Sequence, residues 1–200
     1  MLNPSRTQDF LLHLKTQTAH IHKKLEYLPV SAMILSPSME IKHYTRYLSL
    51  MYDVHKNLEA TVFPLLSELI DTIKVRAKTP LIKEDLLFLH YNHQISKSVF
   101  KTHPLTIPFA LGMLYVVEGS TLGGRFILKN IETVPGLDQG KGVSYFTGYG
   151  SSTGSMWKSF LNTLAQYEAD NNCEPEIIEG ALYAFECIYN HFLSANIDED

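Results

Sequence analysis

Lys15, His22 and Glu26 fall along one stripe of an N-terminal helical segment, and their types suit the holding of an anionic metal complex. With Leu14 at zero and 100° per residue, Phe10, Leu11, Thr18, Ile21 and Leu25 gather within about 60° of the core-facing direction. His13 and His20 lie at about 260° and 240°, toward water, whereas His22 lies near 80°, on the shoulder of the apolar face. An imidazole at that border can ligate a metal through one nitrogen while Glu26, one turn on, accepts a hydrogen bond from the other. Lys15, seven residues and about 10 Å back, is placed to meet an anionic group of a flat ligand centred at His22. The same stripe also suits a structural histidine flanked by solvated helix charges, and spacing alone leaves both readings open.

A second segment, Tyr115-Val-Val-Glu-Gly-Ser-Thr-Leu-Gly-Gly-Arg-Phe-Ile127, reads as helix yet carries glycines where a helix tolerates them least. Gly112, Gly119, Gly123 and Gly124 together cost this helix about 3 to 4 kcal/mol against alanine. Residues 112, 119 and 123 fall within about 40° of one another, so their missing side chains make one bare stripe. Such a stripe admits a neighbouring helix or a flat ligand, and glycine spacing does not choose between them.

Helical periodicity recurs along the chain, and it predicts principal helices over 5–27, 39–70, 80–96, 104–132, 153–171 and 174–194. Starts are marked by Asn3-Pro4, Ser38, Thr79-Pro80, Thr102-His103-Pro104, Thr153 and Asn172 ahead of Pro175. The 133–152 stretch, with Pro135-Gly136, Gly140-Lys141-Gly142 and Gly148-Tyr149-Gly150, reads as one long loop without β alternation. No repeat, low-complexity tract or composition shift divides the chain, so the expectation is one all-α domain spanning 1–200.

Composition narrows the partners. Two hundred residues, 45% of them hydrophobic, suffice for one sizeable core. The formal charge of -4 gives no reason to expect nucleic acid or an anionic membrane as partner. The longest apolar run, Ile107 to Val117, contains Pro108 and is too short to span a bilayer, and the N-terminal residues lack the pattern of an export signal. Cys173 and Cys187 form no paired motif, which argues against a disulfide scaffold or a cysteine-rich metal site and for a cytoplasmic protein.

Other constellations compete. Glu40-x-x-His43 has the spacing of a di-iron carboxylate bundle, but no second such motif occurs, and its place near a helix start suits capping. His90-x-x-His93 has metal-compatible spacing without an obvious third ligand. Phe185, Tyr189 and Phe192 on the last helix are spaced first of all as core. A thiaminase-like enzyme on a related all-α fold would need a core cysteine nucleophile, which neither Cys173 near a helix boundary nor Cys187 on the last helix offers convincingly. Gly136-x-x-x-Gly140-Lys141-Gly142 misses the spacing of a phosphate-binding loop, and no dinucleotide fingerprint follows a strand.

The run Leu14-Lys15-x-x-Thr18-x-x-x-His22-x-x-Leu25-Glu26, followed far downstream by Tyr115-Val-x-Glu-Gly-Ser-Thr-Leu-Gly-Gly-Arg125, resembles the biliverdin-producing heme oxygenases of bacteria. Arg76-Ala-Lys-Thr-Pro-Leu-Ile-Lys-Glu-Asp-Leu86 and Phe146-x-x-Gly-Tyr-Gly150, leading to Met156-Trp157-x-x-Phe160-x-x-x-Leu164, extend the resemblance over most of the chain. The resemblance implies an all-α fold with heme between a proximal N-terminal helix and a kinked, glycine-rich distal helix. It assigns the iron ligand to His22, its carboxylate partner to Glu26, and a propionate-binding base to Lys15. It also places Thr18 and Lys158 beside the heme, and Gly119, Ser120 and Gly123 on the oxygen side, with Arg125 structural; Tyr115, one turn before Gly119, either borders the heme or fills the core and is not counted among the site residues.

By the same resemblance, heme b is at once substrate and cofactor. O2 is the oxidant, and a ferredoxin or flavoprotein reductase is the external electron donor. The products are biliverdin, carbon monoxide and ferrous iron. Some members of the family carry a carboxylate after the first distal glycine, where this chain has Ser120. That departure puts the proton route in question. A heme-binding, storage or sensing protein on the same fold is the non-enzymatic alternative.

Overall fold

The computed structural model describes residues 4–92, 97–101, 105–137 and 140–197. Its α-helices are α1 (Pro4–Glu26), α2 (Pro29–Met33), α3 (Ile41–Thr61), α4 (Phe63–Leu66), α5 (Thr79–Phe88), α6 (Ile107–Ile131), α7 (Ser144–Thr147), α8 (Thr153–Asn171) and α9 (Glu174–Ile197). Short 3-10 turns cover Ile73–Arg76 and Gly150–Ser152, and no strand occurs among the described residues. The architecture is a single all-α domain, as the periodicity predicts. No helix of the described residues is long and apolar enough to cross a membrane.

The long predicted helices agree with α1, α6, α8 and α9 apart from their ends, and three expectations are corrected. The segment 39–70 is not one helix, because Pro64 lacks the backbone donor a continuous helix needs; α3 stops at Thr61 and α4 restarts with that proline in its first turn. The helix expected over 80–96 ends at Phe88, and His90 adopts a left-handed φ of 56°. His93 lies outside the described residues, as do the start signals Thr102 to Pro104. The helix following them begins at Ile107, where the Thr106 hydroxyl accepts from the Phe109 amide at 3.4 Å and Pro108 occupies the first turn. The third correction is the 133–152 loop, which contains α7 and the turn at 150–152. The short α2 was also not signalled by periodicity.

Asp85 explains α7. Its two carboxylate oxygens accept from the amides of Ser144 and Tyr145, each at 2.8 Å, so a buried side chain from α5 satisfies donors at the start of a helix too short to stand alone. Glu40 and His43 are absorbed in the same manner: the Glu40 amide donates to His43 Nδ1 at 3.0 Å within a reciprocal cap of α3, which removes the di-iron reading.

α9 is the central staff of the bundle. α1 runs parallel to it, with His13 Nδ1, midway along α1, meeting Glu174 at the start of α9 at 2.5 Å and the rings of His22 and Phe185 meeting further along both helices. α6 crosses α9 closely: a Cβ on Gly112 would overlap the Ile177 carbonyl, and one on Gly180 would overlap the Phe109 carbonyl. α8 and α9 each touch both α1 and α6, so the two motif-bearing helices share neighbours on either side.

Candidate functional site

On α1 the predicted faces appear as expected. Phe10, Leu14 and Thr18 are buried, Leu11, Ile21 and Leu25 are half-buried, and His13, His20 and Lys15 are exposed. The His22 side chain is 54% exposed, so an imidazole nitrogen is accessible from outside the core. One side of its ring rests on Phe185, with centroids 5.4 Å apart and planes tilted by 57°. Its Nε2 stands 3.6 Å from Glu26 Oε1, within ion-pair range but longer than a hydrogen bond.

On α6 the four glycines have different partners, which corrects the single bare stripe. Gly112 makes room for α9, and Gly124 for α7, where a Cβ would stand 3.3 Å from the Phe146 carbonyl. A Cβ on Gly119 would meet the Trp157 ring at 3.5 Å, and one on Gly123 would meet nothing within 4 Å. Part of the glycine cost therefore buries helix crossings, and part keeps a face of α6 open. Helical hydrogen bonding continues across this segment, while the hydroxyls of Ser120 and Thr121 donate back to the carbonyls of Val117 at 2.7 Å and Glu118 at 2.6 Å. Exposed Leu122 and Phe126 give the open part of α6 an apolar border. The side chain of Arg125 lies outside the described residues.

A continuous path of contacts joins the two motifs. Thr18, one turn before His22, donates its hydroxyl back to the Leu14 carbonyl at 2.9 Å, and its side chain stands beside the Tyr115 hydroxyl. The Tyr115 ring lies 5.5 Å from Trp157, and Trp157 covers Gly119, one turn after Tyr115. Lys158, exposed, follows Trp157 on α8. Sequence reasoning left Tyr115 outside the site and assigned Phe185 to the core alone, yet the structure places Tyr115 between the two helices and Phe185 against His22. Trp157 was visible only as a motif letter.

Glu118, adjacent to Gly119, points into the core. It is ion-paired with buried Arg76 and accepts from the Tyr149 hydroxyl at 2.7 Å. Burial raises its carboxyl above the ordinary range, while the charge of Arg76, the Tyr149 hydrogen bond and Lys78 oppose that shift. Arg76 also donates to the Met156 carbonyl at 3.3 Å, next to Trp157, and its guanidinium lies 5.8 Å from the Phe160 ring. Lys78 sits over the Tyr149 ring at 3.2 Å, and burial lowers its ammonium to about 8. The supporting motifs thus converge behind the distal glycines.

The chemistry of the remaining candidates is plain. Burial raises the thiols of both Cys173 and Cys187, which opposes the thiolate a nucleophile requires. No group of three or more His, Cys, Asp or Glu able to hold a metal ion occurs among the described residues. A protein ligand set for a bare ion is therefore absent among them, whereas an accessible imidazole on α1 and an open, apolar-bordered stretch of α6 would suit a metal that brings its own ligands.

The chain is similar to several known proteins. The chain is 27% identical over 177 residues to the heme oxygenase PigA of Pseudomonas aeruginosa, a match covering 86% of this chain and 85% of that protein. Its fold matches the NO- and CO-bound heme oxygenase of Neisseria meningitidis with TM-score 0.71 at 24% identity over 92% of each chain. It matches the heme oxygenase of Leptospira interrogans with TM-score 0.73 at 16% identity, covering 92% of this chain and 98% of the other. The Synechocystis heme oxygenase-1 in complex with heme gives TM-score 0.65 at 17% identity, covering 94% and 93%. The family model described as heme oxygenase matches residues 8–194, from the first turns of α1 to the last of α9, and the chain belongs to the heme oxygenase family.

Proposed function

We propose that this protein cleaves heme b oxidatively to biliverdin, carbon monoxide and ferrous iron, with O2 as oxidant and electrons from an external ferredoxin or flavoprotein reductase in the cytoplasm. The observation that carries the reading is the path Thr18–Tyr115–Trp157–Gly119, which ties a helix bearing an accessible imidazole to a helix with an open glycine face. Heme, when bound, supplies the iron that activates oxygen and the ring carbon that is oxidised.

The chain's own residues divide the remaining work. His22 offers a neutral nitrogen donor, and Phe185 fixes the ring from one side. Glu26 accepts the proton of the other nitrogen, which orients the imidazole and raises its basicity. Lys15 and Lys158 present exposed ammonium groups to the carboxylates of the substrate's propionates. Thr18 stands beside Tyr115 of α6, where the two motif-bearing helices approach. Gly119 and Gly123 keep side-chain volume out of the oxygen side, and Ser120 holds an exchangeable proton at Oγ beside them.

The test is addition of hemin to the purified protein, followed by reductant under oxygen and chromatography of the pigment. Biliverdin supports the reading. A stable Soret band with no bilin makes the protein a heme binder and overturns it.

A further inference from the structure

The open face of α6 is closed at one end. A Cβ placed on Gly119 would stand 3.5 Å from Trp157 Cη2 and 3.9 Å from Cζ3, whereas one on Gly123, a turn further along the same face, would meet nothing within 4 Å. The chain's one tryptophan thus stands over the first glycine and leaves the second uncovered. Its six-membered ring is the part that projects, and the residue is half-buried.

The indole is held from several sides. Tyr115, one turn before Gly119, packs against it with centroids 5.5 Å apart and planes tilted by 43°, and Phe160 packs at 5.8 Å and 32°. A large ring with two side-chain torsions is readily fixed by such contacts. Arg76 donates to the carbonyl of Met156, immediately before Trp157, at 3.3 Å, and the same guanidinium is paired with Glu118, immediately before Gly119. Arg76 and Glu118 are both buried. One ion pair therefore registers α8 against α6 at the level where the indole meets the glycine. A side chain at 119 reaching beyond Cβ would have to displace the ring.

Resting on the heme oxygenase reading, we propose that Trp157 determines specificity: its indole is the end wall of the glycine face and fixes which edge of the flat substrate lies beside Gly123. A planar ring lying along α6 can slide and rotate in its own plane unless something meets its edge, because flat apolar contact is non-directional. Lys15 and Lys158 carry their charges on long, flexible, exposed stems and restrain that rotation loosely. The indole, braced by two aromatic rings, restrains it sterically at one edge. In-plane rotation changes which bridging carbon of the porphyrin stands at the open stretch, so the wall sets which biliverdin isomer forms. Trp157 touches the substrate's edge and moves neither protons nor electrons.

The first measurement needs no turnover. Zinc protoporphyrin, a diamagnetic stand-in for heme, is titrated into the hemin-free wild type while the indole protons of the one tryptophan are followed by NMR. Protons beside a porphyrin's edge move downfield in its ring current, and protons over its face move upfield. The ζ3 and η2 protons of Trp157 are expected to move downfield on binding; bound porphyrin that leaves them in place, or moves them upfield, overturns the wall. The second measurement separates the bilin isomers made by hemin-loaded wild type, Trp157→Ala and Trp157→Phe. Trp157→Ala is expected to shift the isomer ratio by about tenfold or more, and Trp157→Phe, which keeps a ring at the edge, to stay near the wild type. A wild-type ratio in Trp157→Ala overturns the proposal while leaving heme cleavage intact. A wild type that binds neither porphyrin, or makes no bilin, overturns the parent reading and the wall with it.

Discussion

Arg76 and Glu118 form a buried ion pair directly behind Gly119, with the Tyr149 hydroxyl completing the carboxylate's shell. Removing one member leaves the other charged, buried and unpaired, a loss of about 3–5 kcal/mol for comparable pairs. Arg76→Met is therefore expected to lower stability by that amount in urea melts. Glu118→Gln, which keeps an oxygen for Arg76, is expected to cost less. Equal small effects would show the pair to be dispensable.

The distal glycines should separate packing from catalysis. Gly112→Ala drives a Cβ into the Ile177 carbonyl and is expected to cost about 3 kcal/mol or more. Gly123→Ala meets nothing within 4 Å and is expected to be neutral or stabilising by up to about 1 kcal/mol. Gly123→Leu should also fold, yet slow heme loss by about a hundredfold, since displacement by about 1 Å at a reacting centre has that consequence. Thermal melts beside single-turnover rates distinguish these outcomes, and parallel losses at both positions would contradict the division.

That division marks what the sequence could and could not reveal. Hydrophobic periodicity made α1, α6, α8 and α9 legible, and the wheel position of His22 separated it from His13 and His20. Glycine spacing, however, carries no information about the neighbour opposite, so Gly112, Gly119 and Gly123 looked equivalent until α9 and Trp157 were placed against them. α7 was illegible because its donors are satisfied by Asp85, some sixty positions away in sequence. His55 interrupts the apolar stripe of α3, a signal present in the sequence, but its partner Tyr145 lies in the stretch read as a loop.

His22 and His20 offer a direct contrast on one helix. His22→Ala is expected to abolish the axial-nitrogen signature of the ferric hemin spectrum, and His20→Ala to preserve it. The reverse result would show the wrong face of α1 to hold the iron.

His55 gives the fold a pH dependence of definite sign. Its imidazole falls from an ordinary 6.5 to about 3 through burial, so between those values the unfolded chain binds more protons than the folded one. Stability contributed by the neutral ring is present above about pH 6.5 and is lost on acidification toward pH 3, by roughly 1.4 kcal/mol per pH unit. Urea melts of wild type and His55→Gln at pH 7, 6 and 5 check this. The wild type is expected to weaken more steeply, and parallel curves would show that the ring titrates normally.

The central claim is that one chain both holds heme and destroys it. A single-turnover reaction of the hemin-loaded protein, with reductant and oxygen, should release carbon monoxide in equimolar ratio to the heme lost, with biliverdin as the pigment. Heme that persists under those conditions, or that bleaches without carbon monoxide, would contradict the account.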